Sequence, residues 1–229
     1  MTVCGLFLSD NLKPLEINEL ILRQLLISDI NAVVKIHQEG FPQSRSTKLG
    51  KRFLRKMYRW YITYHPRLAF GAELDGQLIG FIVGSLGNTS SERTRYLLGE
   101  ILLGFARHPM LLSNMKMFNS WQSFARDLLP KQNHSPQTKH DKVIINTLKT
   151  KAALDSIAVS STVRKKNIGR SLMQAFEDSA EQLGATFMVL GVEYNNVPAR
   201  ALYEKCGWGL INENINDNSA NYQKRLTPG

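Results

Sequence analysis

The sequence predicts an α/β domain built on one mixed β-sheet. Three observations favour this class: strand-like and helix-like segments alternate, two apolar runs flank Asp75-Gly76, and the last third repeats a strand–helix order. With 229 residues, 43% of them hydrophobic, the chain can form one domain with a substantial core. We therefore expect a single domain over 1–229, with a loosely ordered leader at 1–16 and a helical insertion at 88–149.

The first part of the chain predicts a strand, two helices and a hairpin. The strand covers 19–24, and helical periodicity follows at 30–38 and again, with many cations, at 49–64. Asp75-Gly76 between two apolar runs is typical of a tight β-hairpin turn.

The segment at 88–149 interrupts this pattern. Apolar residues recur there at spacings of three and four, a break falls at Pro109, and the end is polar. The pattern predicts an inserted helical arm that covers a sheet edge or forms a dimer contact. An interfacial membrane contact is an alternative, because the apolar stripe is partly basic.

The last third predicts a regular alternation that ends in two further strands. Gly184 is placed to end the first of its helices, and Asn196 is placed to cap the second. The predicted elements are strands at 153–159, 186–192, 208–211 and 222–225, and helices at 168–183 and 198–205.

Cysteine and apolar content exclude several classes of protein. Only Cys4 and Cys206 occur, without a CxxC motif, and the histidines are scattered. We therefore expect a reducing, cytoplasmic location and neither a disulfide framework nor a metal site. No apolar run is long enough to span a membrane, and the first residues do not resemble a signal peptide, so stable membrane insertion is not expected.

The formal net charge is +10. Cations accumulate between Arg45 and Arg67 without any acidic residue, and a second group is Arg164-Lys165-Lys166. Such an excess suits a nucleic acid, an anionic lipid or a polyanionic small molecule, although either group can also be an ordinary solvated face.

The turn after the strand at 153–159 has the chemistry of an anion site. The three cations at 164–166 precede Asn167, where the next helix begins. Free N–H groups and the dipole at a helix N-terminus attract anions. Gly169 lets a phosphate approach the backbone, and Asn167 tolerates a left-handed conformation.

Two spaced motifs extend this interpretation. V-x4-R-x2-N-x-G runs from Val159 to Gly169, and N-x2-A-x3-Y-x3-G-W runs from Asn196 to Trp208. Together they resemble the GNAT superfamily of acyl-CoA-dependent N-acetyltransferases, over 153–210 by motif and over 18–86 by element order. One departure is Asn167, where the superfamily signature usually has glycine.

The resemblance implies that acetyl-CoA lies in a splay between the parallel strands at 153–159 and 186–192. Its pantetheine would pair with the first strand, and its pyrophosphate would sit on the amides of the following turn. The cofactor-binding residues that the resemblance implies are Ile157, Ala158, Val159, Arg164, Lys165, Lys166, Asn167, Ile168, Gly169, Arg170, Ser171, Asn196, Ala199 and Tyr203.

The resemblance also implies a reaction in which an amine attacks the thioester directly. A backbone N–H near Val159 would stabilise the oxyanion. Tyr203 would lie near the sulfur, where it protonates the leaving thiolate or only donates a hydrogen bond to it. In water the proton transfer costs about 2 kcal/mol.

The general base is the least determined role. Ribosomal-protein N-acetyltransferases of this superfamily place a glutamate five positions before the motif asparagine, and that position is Gly191 here. The candidates are Glu193, on the same strand face, and Asp155, on the first strand. A water chain is a third possibility, and Gly191 could instead make room for a bulkier acceptor.

The predicted function is acetyl transfer from acetyl-CoA to a primary amine of a small molecule, by a monomer or homodimer. The basic helix at 49–64 falls where the superfamily forms its acceptor wall, which favours an anionic acceptor such as an amino sugar derivative. One alternative is a protein N-terminal or lysine acetyltransferase, and another is a non-catalytic acyl-CoA-binding module. The basic segments lack interleaved aromatic residues, so no nucleic-acid partner is expected.

Overall fold

The computed structural model describes residues 20–107, 151–163 and 167–226. The leader predicted at 1–16, the cations at 164–166 and most of the predicted insertion lie outside these ranges. The described strands and helices are β1 (Leu20–Gln24), α1 (Ile30–Gly40), α2 (Arg45–Lys48), α3 (Lys51–Tyr64), β2 (Ala69–Leu74), β3 (Gln77–Leu86), α4 (Ser90–Arg107), β4 (Lys151–Val159), α5 (Ile168–Gln182), β5 (Phe187–Val192), α6 (Val197–Lys205), β6 (Gly209–Asn214) and β7 (Ser219–Arg225).

The strands form one seven-stranded sheet in the order β1-β2-β3-β4-β5-β7-β6. β4 and β5 pair in parallel, and the other neighbouring pairs of described strands are antiparallel. The predicted mixed sheet is therefore confirmed.

The parallel pair separates part-way along its length. β4 and β5 are in register from Lys151↔Phe187 to Leu154↔Leu190 and no further. Beyond that point β4 remains paired with β3 as far as Val159. The strands therefore diverge after Leu154 and Leu190, which confirms the predicted splay.

The hairpin forms where Asp75-Gly76 predicted it. Asp75 has φ 51° and Gly76 has φ 73°, so both central residues are left-handed. A type I′ turn needs this pair of conformations, and its twist matches that of the strands it joins. β2 and β3 consequently pair from Leu74↔Gln77 onwards.

Helices cover both faces of the sheet. Leu172 and Phe176 of α5 pack with Ile82 in one apolar cluster, whereas Tyr58 of α3 packs with Phe81 in a second cluster. The neighbouring residues Phe81 and Ile82 thus serve opposite faces, as strand alternation requires. The core is therefore two apolar layers with the sheet between them.

The basic helix forms as predicted, beginning at Lys51 because Gly50 has φ 95°. Its apolar side is buried in the second cluster, and Arg52, Arg55 and Arg59 are exposed on the other side. This is the amphipathic arrangement that the sequence indicated. In the ranges the structure covers, no helix combines the length and the apolar character needed to cross a membrane.

Candidate active site

A cavity of about 580 Å³ opens beside the end of β4, where that strand has left β5. It lies between the end of β4, the first turn of α5 and one side of α6, and the end of α1 contributes to its wall. Its lining residues are Gly40, Phe41, Ile157, Ala158, Val159, Val163, Asn167, Ile168, Gly169, Arg170, Asn196, Pro198, Ala199, Ala201, Leu202, Tyr203, Lys205 and Cys206.

The start of α5 presents backbone donors to this first cavity. Asn167 is left-handed, with φ 58° and ψ 8°, and its carbonyl accepts from the amides of Arg170 and Ser171. The amides of Ile168 and Gly169 find no acceptor among the described residues. Amides in this position bind anions, because the helix dipole adds to their partial charge.

On the opposite wall, α6 brings Tyr203 to the first cavity. The side chain of Asn196 caps the helix by accepting from the Ala199 amide at 3.3 Å. Tyr203 is 5% exposed, and none of the described residues is hydrogen-bonded to its hydroxyl. Burial, with a smaller contribution from Tyr222, raises the pKa of Tyr203 to about 12. The phenol is therefore a protonated donor near neutral pH.

The residues that follow Tyr203 fix the end of α6. The Trp208 indole donates to one oxygen of buried Glu177 at 2.8 Å, and Lys224 donates to the other at 2.6 Å. Lys224 also donates to the carbonyl of Cys206 at 2.8 Å. We call Glu177, Trp208 and Lys224 the latch, because they tie α6 to α5 and β7. Cys206 lines the first cavity, where burial raises the pKa of its thiol.

A second cavity, of about 380 Å³, lies at the start of the splay. Leu154 and Leu190 point into the core that α5 covers, so the residues beside them point to the opposite sheet face. The lining residues of this second cavity are Ala153, Leu154, Asp155, Val189, Leu190, Gly191, Ile211, Asn212, Asn221 and Tyr222.

The second cavity has polar side chains on one wall and a glycine beside them. The Asn221 amide donates to the Asn212 side chain at 2.8 Å. Gly191 stands next to them, and a Cβ at this position would come within 3.3 Å of the Asn221 side-chain oxygen. Gly191 therefore enlarges the cavity at the place where the resemblance had suggested a base.

Asp155 occupies a β-bulge at the edge of the second cavity. The β3–β4 register passes from Val83↔Ser156 to Gly84↔Leu154, which leaves Asp155 without a partner on β3. Its carboxylate accepts from Arg93 at 2.7 Å and from the Ser85 hydroxyl at 3.2 Å. A carboxylate thus stands where the two splayed strands begin to separate.

Residues 138–208 match the family described as the Acetyltransferase (GNAT) family. The match includes β4, the first turn of α5 and α6, which build the first cavity. The part of the chain that builds the first cavity is therefore similar to GNAT acetyltransferases.

Solved structures support the GNAT fold. The PaiA N-acetyltransferase from Thermoplasma acidophilum in complex with coenzyme A is 15% identical, with a TM-score of 0.55 and coverage of 91% of this chain and 99% of that one. YncA from Salmonella typhimurium with acetyl-CoA is 13% identical, with a TM-score of 0.54 and coverage of 93% and 96%. The ribosomal-protein-S18-alanine N-acetyltransferase from Escherichia coli is 15% identical, with a TM-score of 0.54 and coverage of 91% and 95%. No curated protein matches the sequence.

The structure brings most of the predicted cofactor-binding residues together at the first cavity. Ser171 does not line the first cavity, and its hydroxyl donates to the Asn167 carbonyl at 3.4 Å. Arg164, Lys165 and Lys166 lie outside the described residues. The predicted residues that line the first cavity are Ile157, Ala158, Val159, Asn167, Ile168, Gly169, Arg170, Asn196, Ala199 and Tyr203.

The two candidate bases are separated. Asp155 borders the second cavity, whereas Glu193 is exposed beyond β5 and lines neither cavity. The carbonyl of Glu193 accepts from the Asn196 amide at 2.9 Å, so this residue helps to form the turn into α6.

The basic face of α3 does not border either cavity. Arg52 pairs with Glu100 of α4 at 2.8 Å, and Arg55 donates to Asn31 at 3.0 Å. Because the apolar side of α3 is buried, its cations point away from the sheet. The predicted anionic acceptor rested on these cations forming the acceptor wall, and they do not border the cavities.

Sequence reasoning missed the contribution of α1 and α4 to the site. Gly40 and Phe41 line the first cavity, and Arg93 reaches Asp155. Gly40 is the last residue of α1, and a Cβ there would lie 3.4 Å from the Ala158 Cβ. Nothing in the local pattern indicated that this end approaches β4.

Proposed function

We propose that the protein is an N-acetyltransferase that moves the acetyl group of acetyl-CoA to a primary amine. The observation that carries this proposal is the separation of β4 from β5 between two cavities. One cavity offers a helix N-terminus and a protonated tyrosine, and the other offers a carboxylate. A thioester donor and an amine acceptor can thus approach one reaction centre from two sides.

The first cavity has the donor groups that acetyl-CoA requires. The amides of Ile168 and Gly169 suit its pyrophosphate. The Ser160 amide donates to Ile79 of β3 at 2.8 Å, so alternate residues of β4, including Ile157, direct their amides and carbonyls towards the splay. These groups suit the amides of pantetheine. The hydroxyl of Tyr203, which has no hydrogen-bond partner among the described residues, suits the sulfur.

In the proposed reaction the amine nitrogen bonds to the acetyl carbon, and the carbon–sulfur bond then breaks. The nitrogen loses one proton, which Asp155 accepts directly or through water, and the sulfur leaves as a thiolate. Glu193 is the alternative acceptor of that proton, although its position outside both cavities favours Asp155.

The proposed role of Tyr203 is to donate a hydrogen bond to the thiolate. Its pKa of about 12 exceeds that of an ordinary thiol by enough to make proton transfer uphill by about 5 kcal/mol. This free-energy cost is larger than the cost of about 2 kcal/mol for the same proton transfer in water. A hydrogen bond stabilises the leaving group without requiring the phenol to ionise.

The lining of the second cavity favours a neutral or cationic acceptor. Asp155 is the charged residue that lines it, and Arg93 beside it is already paired with that carboxylate. A small amine fits a volume of about 380 Å³. The paired side chains of Asn212 and Asn221 also favour a second candidate, a peptide N-terminus, because amides recognise peptide groups.

An amine panel tests the proposal. Spermidine, glucosamine 6-phosphate, a tetrapeptide with N-terminal alanine and a blocked lysine tetrapeptide are each mixed with acetyl-CoA, and CoA release is measured. We expect turnover of spermidine or a peptide in preference to the phosphorylated sugar. Acetyl-CoA at millimolar concentration should also raise the melting temperature. A thermal shift without turnover of any amine would instead indicate a non-catalytic acyl-CoA-binding module. If the protein shows neither turnover nor a thermal shift, both the acetyltransferase and the binding module are rejected.

A further inference from the structure

We propose that Arg93, in the first turn of α4, is a positioning residue for the acceptor amine. It would act by holding the Asp155 carboxylate at the edge of the second cavity. The inference rests on the proposed function, because it needs Asp155 to contact the acceptor.

The backbone alone does not hold Asp155 in place. The bulge removes its partner on β3, and the β4–β5 register ends one residue earlier, at Leu154↔Leu190. Asp155 therefore has a register partner on neither neighbouring strand. A bulge residue of this kind is re-aimed relative to a regular strand, and its direction depends on side-chain contacts.

Arg93 supplies the strongest of these contacts. One of its terminal nitrogens donates to Asp155 at 2.7 Å and also to the hydroxyl of Tyr61. Its guanidinium carbon lies 5.9 Å from the centre of the Trp60 ring and 5.6 Å from that of Tyr61. Both rings are buried in α3. These contacts hold the guanidinium in place independently of its bond to Asp155.

The pairing leaves room on the carboxylate for a substrate. A carboxylate has about four lone-pair positions. Arg93 occupies one of these positions on Oδ1, and Ser85 occupies one on Oδ2. The remaining positions can accept from an acceptor N–H, and the ion pair decides which way they point.

Lysine should replace Arg93 only in part. A lysine ammonium can reach a carboxylate as a point charge, but it lacks the planar group that stacks on rings and bridges Tyr61 to Asp155. A neutral residue of similar length, such as methionine, would fill the space without holding the carboxylate.

The test compares kinetic constants for the amine of the panel that is turned over best and for acetyl-CoA. In Arg93→Met we expect the KM of that amine to rise about tenfold, with the acetyl-CoA KM unchanged, and Arg93→Lys to fall between this variant and the wild type. In an Asp155→Asn background, Arg93→Met should add nothing, because both changes remove the same interaction.

Arg52→Met is the matched control, because Arg52 also forms an ion pair with a carboxylate, that of Glu100 on α4, but lies away from both cavities. It should behave as the wild type. A wild-type amine KM in Arg93→Met, equal changes in both KM values, or additive effects in the double variant would overturn the inference. If Arg93→Met does not fold, a wild-type amine KM in Arg93→Lys overturns it as well. Absence of CoA release by the wild type with all four amines would instead reject the proposed function.

Discussion

The buried hydroxyl of Tyr203 can donate a hydrogen bond to a bound ligand. Burial of a hydroxyl without a partner costs free energy, so a side chain in this state is expected where a ligand supplies the partner. Its raised pKa of about 12 also means that it does not ionise in the range where amines react.

Tyr203→Phe should therefore lower kcat about 100-fold, the usual effect of losing one donor to a developing charge. The acetyl-CoA KM should stay close to that of the wild type, because phenylalanine keeps the packing against Trp208 and Tyr222. Steady-state kinetics with the amine that is turned over best provide the check. An unchanged kcat would remove Tyr203 from the reaction.

The second cavity is wide beside Gly191 because this residue has no Cβ. A Cβ there would approach the Asn221 oxygen to 3.3 Å and project over the space proposed for the acceptor. Gly191→Ala should raise the acceptor KM about tenfold, since one carbon in a fitted pocket has effects of this size. The acetyl-CoA KM should not change.

Gly209→Ala is the control for that substitution. It adds the same group to the edge strand β6, where the new Cβ has an ordinary 3.7 Å contact. Equal effects of the two substitutions on the acceptor KM would mean that Gly191 has no special place in the site.

At the scale of elements, the latch holds the wall of the first cavity. Glu177 on α5 receives a neutral donor from Trp208 and a charged donor from Lys224, and it is 6% exposed. Removal of the charged partner leaves a buried carboxylate without a counter-ion, whereas removal of the indole N–H loses one hydrogen bond.

Lys224→Met should therefore cost about 2–3 kcal/mol of unfolding free energy, reduced from the fully buried case because Lys224 is partly solvated. Trp208→Phe should cost about 1–2 kcal/mol. Urea denaturation measures both values. A larger loss in Trp208→Phe would show that ring packing, and not the charge on Glu177, dominates the latch.

Local signals explain why most elements were predictable. The Asp75-Gly76 turn, the Asn196 cap and the apolar spacing of α3 act over a few residues, so the sequence displays them directly. The latch and the Arg93–Asp155 pair join residues 47 and 62 positions apart, respectively. Charge and spacing do not reveal such partners, because the sheet order brings them together.

The whole molecule depends on polar contacts between its layers as well as on its apolar clusters. His37 of α1 is 4% exposed, and its ring nitrogens lie 2.5 Å from the Tyr58 hydroxyl and 3.1 Å from that of Ser46. The Tyr58 hydroxyl is in turn 3.4 Å from that of Ser156 on β4. The motifs gave no indication of this buried histidine, which links two helices to the strand that borders the first cavity.

The buried His37 makes stability depend on pH. Burial lowers its pKa to about 4 in the folded protein, against about 6.5 in an unfolded chain. The unfolded chain therefore binds the proton more tightly. The contribution of His37 to stability is full above pH 6.5 and is lost as the pH falls towards 4, by about 3 kcal/mol in total.

His37→Gln tests this dependence, because glutamine can donate and accept hydrogen bonds but does not titrate. Urea unfolding between pH 7.5 and 4.5 should give a flatter profile for the variant than for the wild type. His65→Gln is the control, because burial also lowers the pKa of His65, which is only half-buried. Its profile should flatten less. Parallel profiles for the wild type and His37→Gln would show that His37 does not control acid stability.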